Sequence, residues 1–341
     1  VKIAIVAGGT GGHIYPGIAI AEEIKRCHKN ESLFFVGSVE GLEKVLVPRG
    51  GFPIKLIKAR AMLRKLSYKA ISAPFVSLIG FFQSIVLLRR EQPDILVATG
   101  GYVSLPVCLA AKLLKVQIFI LEQNVLPGFV TRLCARLADK VFLSFEESQK
   151  YLRGEVVGNP VRRSIIELKK QPHEKKVVLV IGGSQGARTI NRAVLASLDK
   201  IPPGIKVIHA IGQRDYQENL ARDNYLPIAY VDNIAELLSG VDLVISRSGA
   251  TAIAEFLVAH LPMILIPFPY AADNHQLLNA QVVEKAGAAK IIANHDFTTE
   301  VFIKLLTDFN GEQYAKMGLA CQRLAKPLAA ERIVNEIYGQ V

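Results

Sequence analysis

Short apolar runs rich in Val, Ile and Leu alternate with longer stretches of helical spacing along the whole chain. In the first half, the runs at 2–7, 33–37, 54–59, 95–100, 118–123, 140–144 and 155–158 have the length and β-branched content of buried strands. In the second half the same holds for 177–183, 206–211, 228–231, 243–247, 263–268 and 289–293. Between them, 17–27, 105–114, 127–138, 187–198, 250–259 and 275–286 repeat apolar residues at the spacing of a helix that covers a sheet. Continuously apolar strands joined by helices predict parallel sheets buried on both faces. Two such series in tandem, each opening on a strand that enters a glycine-rich turn, predict an α/β protein of two doubly wound, Rossmann-like domains facing across a cleft. The seam is expected near Gly158-Asn159-Pro160, giving domains 1–162 and 163–326. The helical pattern at about 327–341 is expected to pack back on the first domain.

The segment Ile71 to Leu88 breaks this rhythm. It is strongly apolar over 18 residues, but Ser72, Pro74, Ser77, Gln83 and Ser84 interrupt it. A spanning helix needs about 20 apolar residues, so a transmembrane span is rejected. Part of the segment fits a crossover helix, yet Phe75, Ile79 and Phe82 recur at helical spacing and predict an exposed stripe.

Charge sharpens that expectation. Of the formal net charge of +11, residues 1–162 carry +10 and residues 163–341 carry +1. No acidic residue lies between Glu43 and Glu91, a stretch that holds Arg64, Lys65, Lys69 and Arg89 among its ten basic residues. Apolar anchors ringed by basic side chains predict an interfacial helix lying on an anionic membrane surface. Nucleic acid is not expected, since there is no Trp and aromatics make up only 7% of the chain. Cys27, Cys108, Cys134 and Cys321 form no C-x-x-C pair, so no disulfide framework or zinc site is expected and a reducing compartment fits. The opening residues, Val1 to Val6, read as a strand and not as a signal peptide.

The candidate chemistry lies in the turns. The first strand runs into Gly8-Gly9-Thr10-Gly11-Gly12-His13, with Pro16-Gly17 opening the next helix. Further turns are Thr99-Gly100-Gly101-Tyr102, Gly182-Gly183-Ser184-Gln185-Gly186-Ala187 and Ser246-Arg247-Ser248-Gly249-Ala250. Glycines let backbone N–H groups approach a phosphate or sugar closely, and ligands of open parallel sheets sit beyond the strands' carboxyl ends. The spacing G-x-G-x-x-G fails at Ile14 and no G-x-x-x-x-G-K-[ST] occurs, which disfavours NAD and excludes a P-loop. There is no Asp-x-Asp pair, so a sugar-nucleotide enzyme built on this chain is expected to use no metal and no cofactor. Its departing diphosphate would be stabilised by backbone dipoles and an arginine, for which Arg162 is the candidate. Glu255 can accept two hydrogen bonds from a ribose diol.

The stretches GGTGGHIYPG (8–17), GGYVS (100–104), EQN (122–124), VGNPVR (157–162), GGSQGAR (182–188), SRSGA (246–250), PFPYAADNHQLLNA (267–280) and EKAGAAKII (284–292) together resemble the MurG family across nearly the whole chain. The resemblance implies a GT-B fold. It also implies an inverting, metal-independent transfer of GlcNAc from UDP-GlcNAc to the C4 hydroxyl of MurNAc in lipid I, giving lipid II for peptidoglycan. By position, Thr10, Gly11 and Gly12 would face the donor sugar and the acceptor, beside Tyr102. Asn124 and Gln276 would hold GlcNAc, and Arg162, Ser184 and Gln185 the diphosphate or its sugar. Val231 would hold uracil through the main chain, and Ala250, Thr251, Ala252, Ile253, Ala254 and Glu255 the diphosphate and ribose. The family often has His where this chain has Leu121, Leu-Thr where it has Thr251-Ala252, and Gln where it has His275. The implied place is the cytoplasmic face of the plasma membrane, peripherally bound, beside other cell-wall enzymes.

An inverting displacement needs a base for the acceptor proton. His13, expected in the loop between the domains, is the first candidate and Glu122 the alternative. Two rivals are a UDP-GlcNAc 2-epimerase, which has no need of a basic apolar face, and a non-catalytic basic module, which leaves the glycine turns unexplained.

Overall fold

In the computed structural model the described residues are 1–60, 68–183, 186–231, 233–309 and 311–339, and in the helix Tyr68–Glu91 side chains are described from Phe75 on. The chain divides into two compact units, Val1–Arg162 with Lys326–Val341, and Arg163–Ala325. Among the described residues the first unit holds seven strands: β1 (Lys2–Val6), β2 (Ser32–Ser38), β3 (Ile54–Ile57), β4 (Ile95–Ala98), β5 (Gln117–Glu122), β6 (Lys140–Leu143) and β7 (Glu155–Val156). They pair in parallel in the order β3-β2-β1-β4-β5-β6-β7. The second unit holds β8 (Lys176–Ile181), β9 (Ile205–Ala210), β10 (Tyr225–Ile228), β11 (Leu243–Ser246), β12 (Met263–Leu265) and β13 (Ala289–Ile291). Their parallel order is β10-β9-β8-β11-β12-β13. Each sheet therefore reverses its winding once, between β1 and β4 and between β8 and β11. At such a switch point the loops leaving neighbouring strands diverge to opposite faces and open a crevice for a ligand.

The strands are buried because both faces are covered. On β1, Ile3 and Ile5 point into a cluster with Ile14, Ile18 and Ile333, while Ala4 and Val6 point into another with Leu88, Val107 and Cys108. The helix Ala329–Tyr338 thus fills the first unit's core through Ile333, Val334 and Ile337, after the chain has built the whole second unit.

Two of the differences from the sequence expectation bear on the site and on the sheet edge. The first helix spans Gly11–Cys27, not 17–27, because the extended Thr10 caps it and its carbonyl accepts the N–H groups of His13 and Ile14 at 3.1 and 3.2 Å. His13 accordingly lies in the first turn of a helix, not in an interdomain loop. The strand expected at 228–231 is β10 at Tyr225–Ile228, with Pro227 inside it. An edge strand tolerates a proline because its missing N–H can face away from the ladder.

The helix Tyr68–Glu91 carries apolar residues on its exposed face as well as on its core face. Its buried residues are Gly80, Ser84 and Leu88, with Phe81, Ile85 and Leu87 half-buried against the same core. A Cβ at Gly80 would stand 2.1 Å from the carbonyl oxygen of Lys58, so only glycine permits this approach. The other face also carries large apolar residues: Phe75 is 70%, Phe82 58% and Val86 69% exposed, with Leu78 and Ile79 also exposed. The predicted stripe is therefore on the surface, and Arg89 is exposed at its end. Arg64 and Lys65 lie outside the described residues, as does the side chain of Lys69. No helix among the described residues is long and apolar enough to cross a membrane.

Candidate active site

In the first unit, three loops meet beyond the adjacent strands β1, β4 and β5. Gly9, Gly100 and Gly101 all have positive φ, at 91°, 102° and 85°. A Cβ at Gly101 would come within 2.1 Å of the Gly8 carbonyl oxygen, and one at Gly100 within 2.7 Å of the His13 ring. The glycines are thus what let the two loops touch and seat His13 against the second of them. The N–H groups of Gly11 and Gly12 stand at the positive end of their helix, the part of a fold best suited to an anion or a polarised oxygen. Half-buried His13 is fixed through its backbone, since its carbonyl accepts the Thr99 hydroxyl at 2.8 Å.

The third loop is held by Glu122, which is 1% exposed. Its Oε1 accepts the backbone N–H and side-chain Nδ2 of Asn124 at 2.8 and 3.1 Å, and its Oε2 accepts the Gly128 N–H at 3.1 Å. A carboxylate so engaged orients Asn124. Leu121, where the resembled family often has His, is fully buried in the sheet core. Arg162 stacks its guanidinium 4.0 Å above the Tyr15 ring, which holds the cation beside the first helix.

Beneath these loops lies a group that sequence reading passed over. Glu43 is fully buried and its carboxylate accepts three hydrogen bonds, from Ser38 N–H at 2.7 Å, Ser38 Oγ at 2.8 Å and Gly9 N–H at 3.1 Å. Because the Ser38 hydroxyl donates to the carboxylate, it accepts from Tyr102 Oη at 2.8 Å. Tyr102 therefore aims its proton inward and presents its ring to the turn, 3.3 Å from where a Cβ of Gly9 would sit. Burial raises the Tyr102 pKa above the ordinary phenol value.

In the second unit the corresponding loops follow β8 and β11. Gly183 and Gly186 have φ of 95° and 72°, while Ser184 and Gln185 between them lie outside the described residues. After β11, extended Gly249 leads into the helix Ala250–Val258 and accepts the Ile253 N–H at 3.0 Å. Ala250, Thr251 and Ala252 supply the first-turn N–H groups. The Ile253 side chain is fully buried, and its N–H closes the turn onto Gly249. Ala252 and Ala254 are half-buried, and Glu255 is buried in the second turn, not displayed on the helix surface. Half-buried Val231 follows β10 in irregular backbone.

The segment after β12 is braced from two sides. Gln276 accepts the Phe268 N–H with its amide oxygen at 2.9 Å. Arg247 donates to the carbonyls of Ile266 and Pro267 at 2.9 and 3.3 Å and lies 5.5 Å from the Phe268 ring. Burial brings the Arg247 pKa down to about 10. This arginine therefore shapes the loop from inside. Among the described residues no cluster of three or more His, Cys, Asp or Glu side chains is placed to hold a metal ion.

Comparison with known proteins adds the following. Residues 3–143 match the glycosyltransferase family 28 N-terminal domain, and residues 177–333 match the family 28 C-terminal domain. Over 98% of both chains, this one is 37% identical to the UDP-N-acetylglucosamine–N-acetylmuramyl-(pentapeptide) pyrophosphoryl-undecaprenol N-acetylglucosamine transferase of Halothermothrix orenii. It is 34% identical to the protein of the same name from Myxococcus xanthus, over 98% of this chain and 91% of that one. Among solved structures, MurG of Acinetobacter baumannii matches with a TM-score of 0.79 at 27% identity, over 99% of both chains. The UDP-GlcNAc 2-epimerase of Neisseria meningitidis, solved with UDP-GlcNAc bound, matches with a TM-score of 0.68 at 15% identity, over 99% of this chain and all of that one. That second likeness shows a common fold and nothing more.

Proposed function

The chain belongs to the MurG family, glycosyltransferases of two Rossmann-like domains in the GT-B class, and on that premise we propose that it transfers GlcNAc from UDP-GlcNAc to lipid I to give lipid II. The observation that carries this reading is the placement of a glycine turn and a helix N-terminus at the switch point of each sheet, in a chain alike to these transferases over its whole length.

In the reaction, the C4 hydroxyl oxygen of MurNAc attacks the anomeric carbon of GlcNAc from the face opposite UDP. The bond from that carbon to the β-phosphate oxygen breaks, UDP keeps the electron pair, and the configuration inverts. The hydroxyl proton goes to His13, whose imidazole sits in a first turn shaped by Gly11, Gly12 and Gly100. Glu122 is assigned the positioning of Asn124, which hydrogen-bonds GlcNAc, because each of its oxygens already accepts from the loop. In the second unit, the N–H groups of Ala250 to Ala252 and the turn Gly182–Ala187 face the diphosphate, Glu255 takes the ribose diol, and backbone near Val231 takes uracil. Arg162 and these N–H groups offset the charge that develops on UDP, with no metal in the scheme.

The outward stripe of Phe75, Ile79 and Phe82, with Arg89 and the basic run from Arg64 to Lys69, docks the first unit peripherally on an anionic membrane, the cytoplasmic face of the plasma membrane, where a lipid-linked acceptor resides. Incubation with labelled UDP-GlcNAc and lipid I in excess chelator tests the scheme. The expected product is a β-linked disaccharide lipid. An epimerised sugar nucleotide formed without acceptor, or loss of turnover in chelator, would refute it.

A further inference from the structure

A buried imidazole lies outside the chemistry above. His209, on β9, is fully buried, and both its ring nitrogens have partners. Nδ1 is 2.9 Å from the Tyr225 hydroxyl on β10, and Nε2 is 3.1 Å from Asn191 Oδ1 in the helix Arg188–Leu195. The donors can be assigned by counting. Asn191 Nδ2 has two hydrogens, and they go to the Ile211 carbonyl at 2.9 Å and Asp215 Oδ2 at 2.7 Å. Its Oδ1 must therefore accept, so His209 Nε2 carries the ring proton, Nδ1 is a lone pair, and Tyr225 donates to it. Arg214 pins the far end by donating to both oxygens of Asp215 at 2.9 and 3.0 Å.

This chain of donors runs under the glycine turn that follows β8. Gly186 rests on the same carbonyl that Asn191 holds: a Cβ there would stand 2.1 Å from Ile211 O and 3.2 Å from Asn191 Nδ2. Gly186 also closes its own turn by donating to Gly183 at 3.0 Å, and Asn191 N–H donates to Ala187 at 2.8 Å. Moving Asn191 thus moves the floor on which the turn sits.

We propose that His209 is a positioning residue for nucleotide binding: through Nε2–H it fixes the Asn191 amide, and through Asn191 and the Ile211 carbonyl it sets the position of Gly186, and with it the hydrogen bond from Gly186 to Gly183, in the glycine turn after β8. The proposal rests on the donor assignment made above for that turn. It accounts for a polar side chain on a fully buried strand position, where an aliphatic residue would pack without needing partners.

Two substitutions separate positioning from packing in the full chain. His209→Gln places an amide near Nε2, so it can still donate to Asn191 while losing Tyr225. His209→Asn reaches only as far as Nδ1, so it keeps Tyr225 and leaves Asn191 without its donor. Calorimetric titration with UDP is expected to show affinity weakened about tenfold or more in His209→Asn and largely recovered in His209→Gln, at similar unfolding midpoints. Equal UDP affinities in the two variants would overturn the proposal. If the parent chain itself takes up no UDP, the donor assignment fails instead. The amide resonance of Gly186 then decides the positioning claim: it shifts in His209→Asn and returns in His209→Gln if the claim holds, and behaves alike in both if it does not.

Discussion

Both units carry a glycine turn after the first strand of their sheet, β1 and β8, yet the two turns are held from below by opposite chemistry. Under the first turn lies a carboxylate, Glu43, which accepts from Gly9, from Ser38 and, through Ser38, from Tyr102. Under the second lies a neutral chain of phenol, imidazole and amide, ending in an exposed ion pair. The difference follows from what each support must supply. Gly9 and Ser38 point N–H groups downward and need an acceptor, and a buried anion accepts strongly wherever several donors converge on it. The second turn rests on a carbonyl, Ile211 O, which needs a donor, and the Asn191 amide donates without adding a charge. The two turns are thus each held from below by buried hydrogen bonds, the first through an acceptor and the second through a donor.

The comparison can be broken most sharply at the chemistry itself. Replacing His13 with Ala should lower kcat by about 10²–10⁴ while leaving UDP affinity within roughly twofold, because general-base loss acts on the first unit alone. Steady-state rates beside UDP calorimetry decide this, and a matching loss of affinity would make His13 a binding residue only. Next in size, Glu43→Ala leaves the donors of Ser38 and Gly9 buried without their acceptor and should lower unfolding stability by roughly 3 kcal/mol in urea titration.

A smaller effect appears on acidification. Burial brings the His209 pKa from its ordinary 6.5 down to about 3. Between those values the unfolded chain takes up a proton that the folded chain refuses, so this contribution is intact above pH 6.5 and is lost as pH falls toward 3. From pH 6.5 to pH 5 it should amount to about 2 kcal/mol, seen as a shallower loss of stability in His209→Gln than in the parent. The smallest expected change concerns the outer face. Phe75→Ser with Phe82→Ser should weaken binding to anionic vesicles about tenfold and leave thermal unfolding nearly unchanged, since both rings already face outward.

Much of this was legible from residue order. Parallel sheets, the glycine turns at strand ends and the outward stripe follow from patterns within a few residues. The supports were not. Glu43 reads as an ordinary first-turn helix acid, and its partner Tyr102 lies 64 positions from Ser38. His209 sits in a strand as any alternating residue would, and its role depends on Asn191 and Tyr225 from two other elements. Arg247 looked like part of an anion-binding turn, but it folds back onto the carbonyls of Ile266 and Pro267. The start of the first helix is not legible because Gly11 and Gly12 are poor helix formers, and only the cap at Thr10 and contacts from distant loops make them helical.

The route of the backbone through the two units bears on how the protein is made. The first unit's core includes Ile333, Val334 and Ile337, which are translated after every residue of the second. During synthesis the amino-terminal sheet emerges first but keeps an uncovered apolar flank while about 160 further residues are added at ~5–20 per second. The second unit, contiguous in sequence, can finish earlier than the one that precedes it. The nascent chain therefore passes through a stage with a completed second unit and an unfinished first one. A ribosome stalled just short of residue 329 would hold that intermediate for study, and a chaperone that grips exposed isoleucine and valine would find its target there.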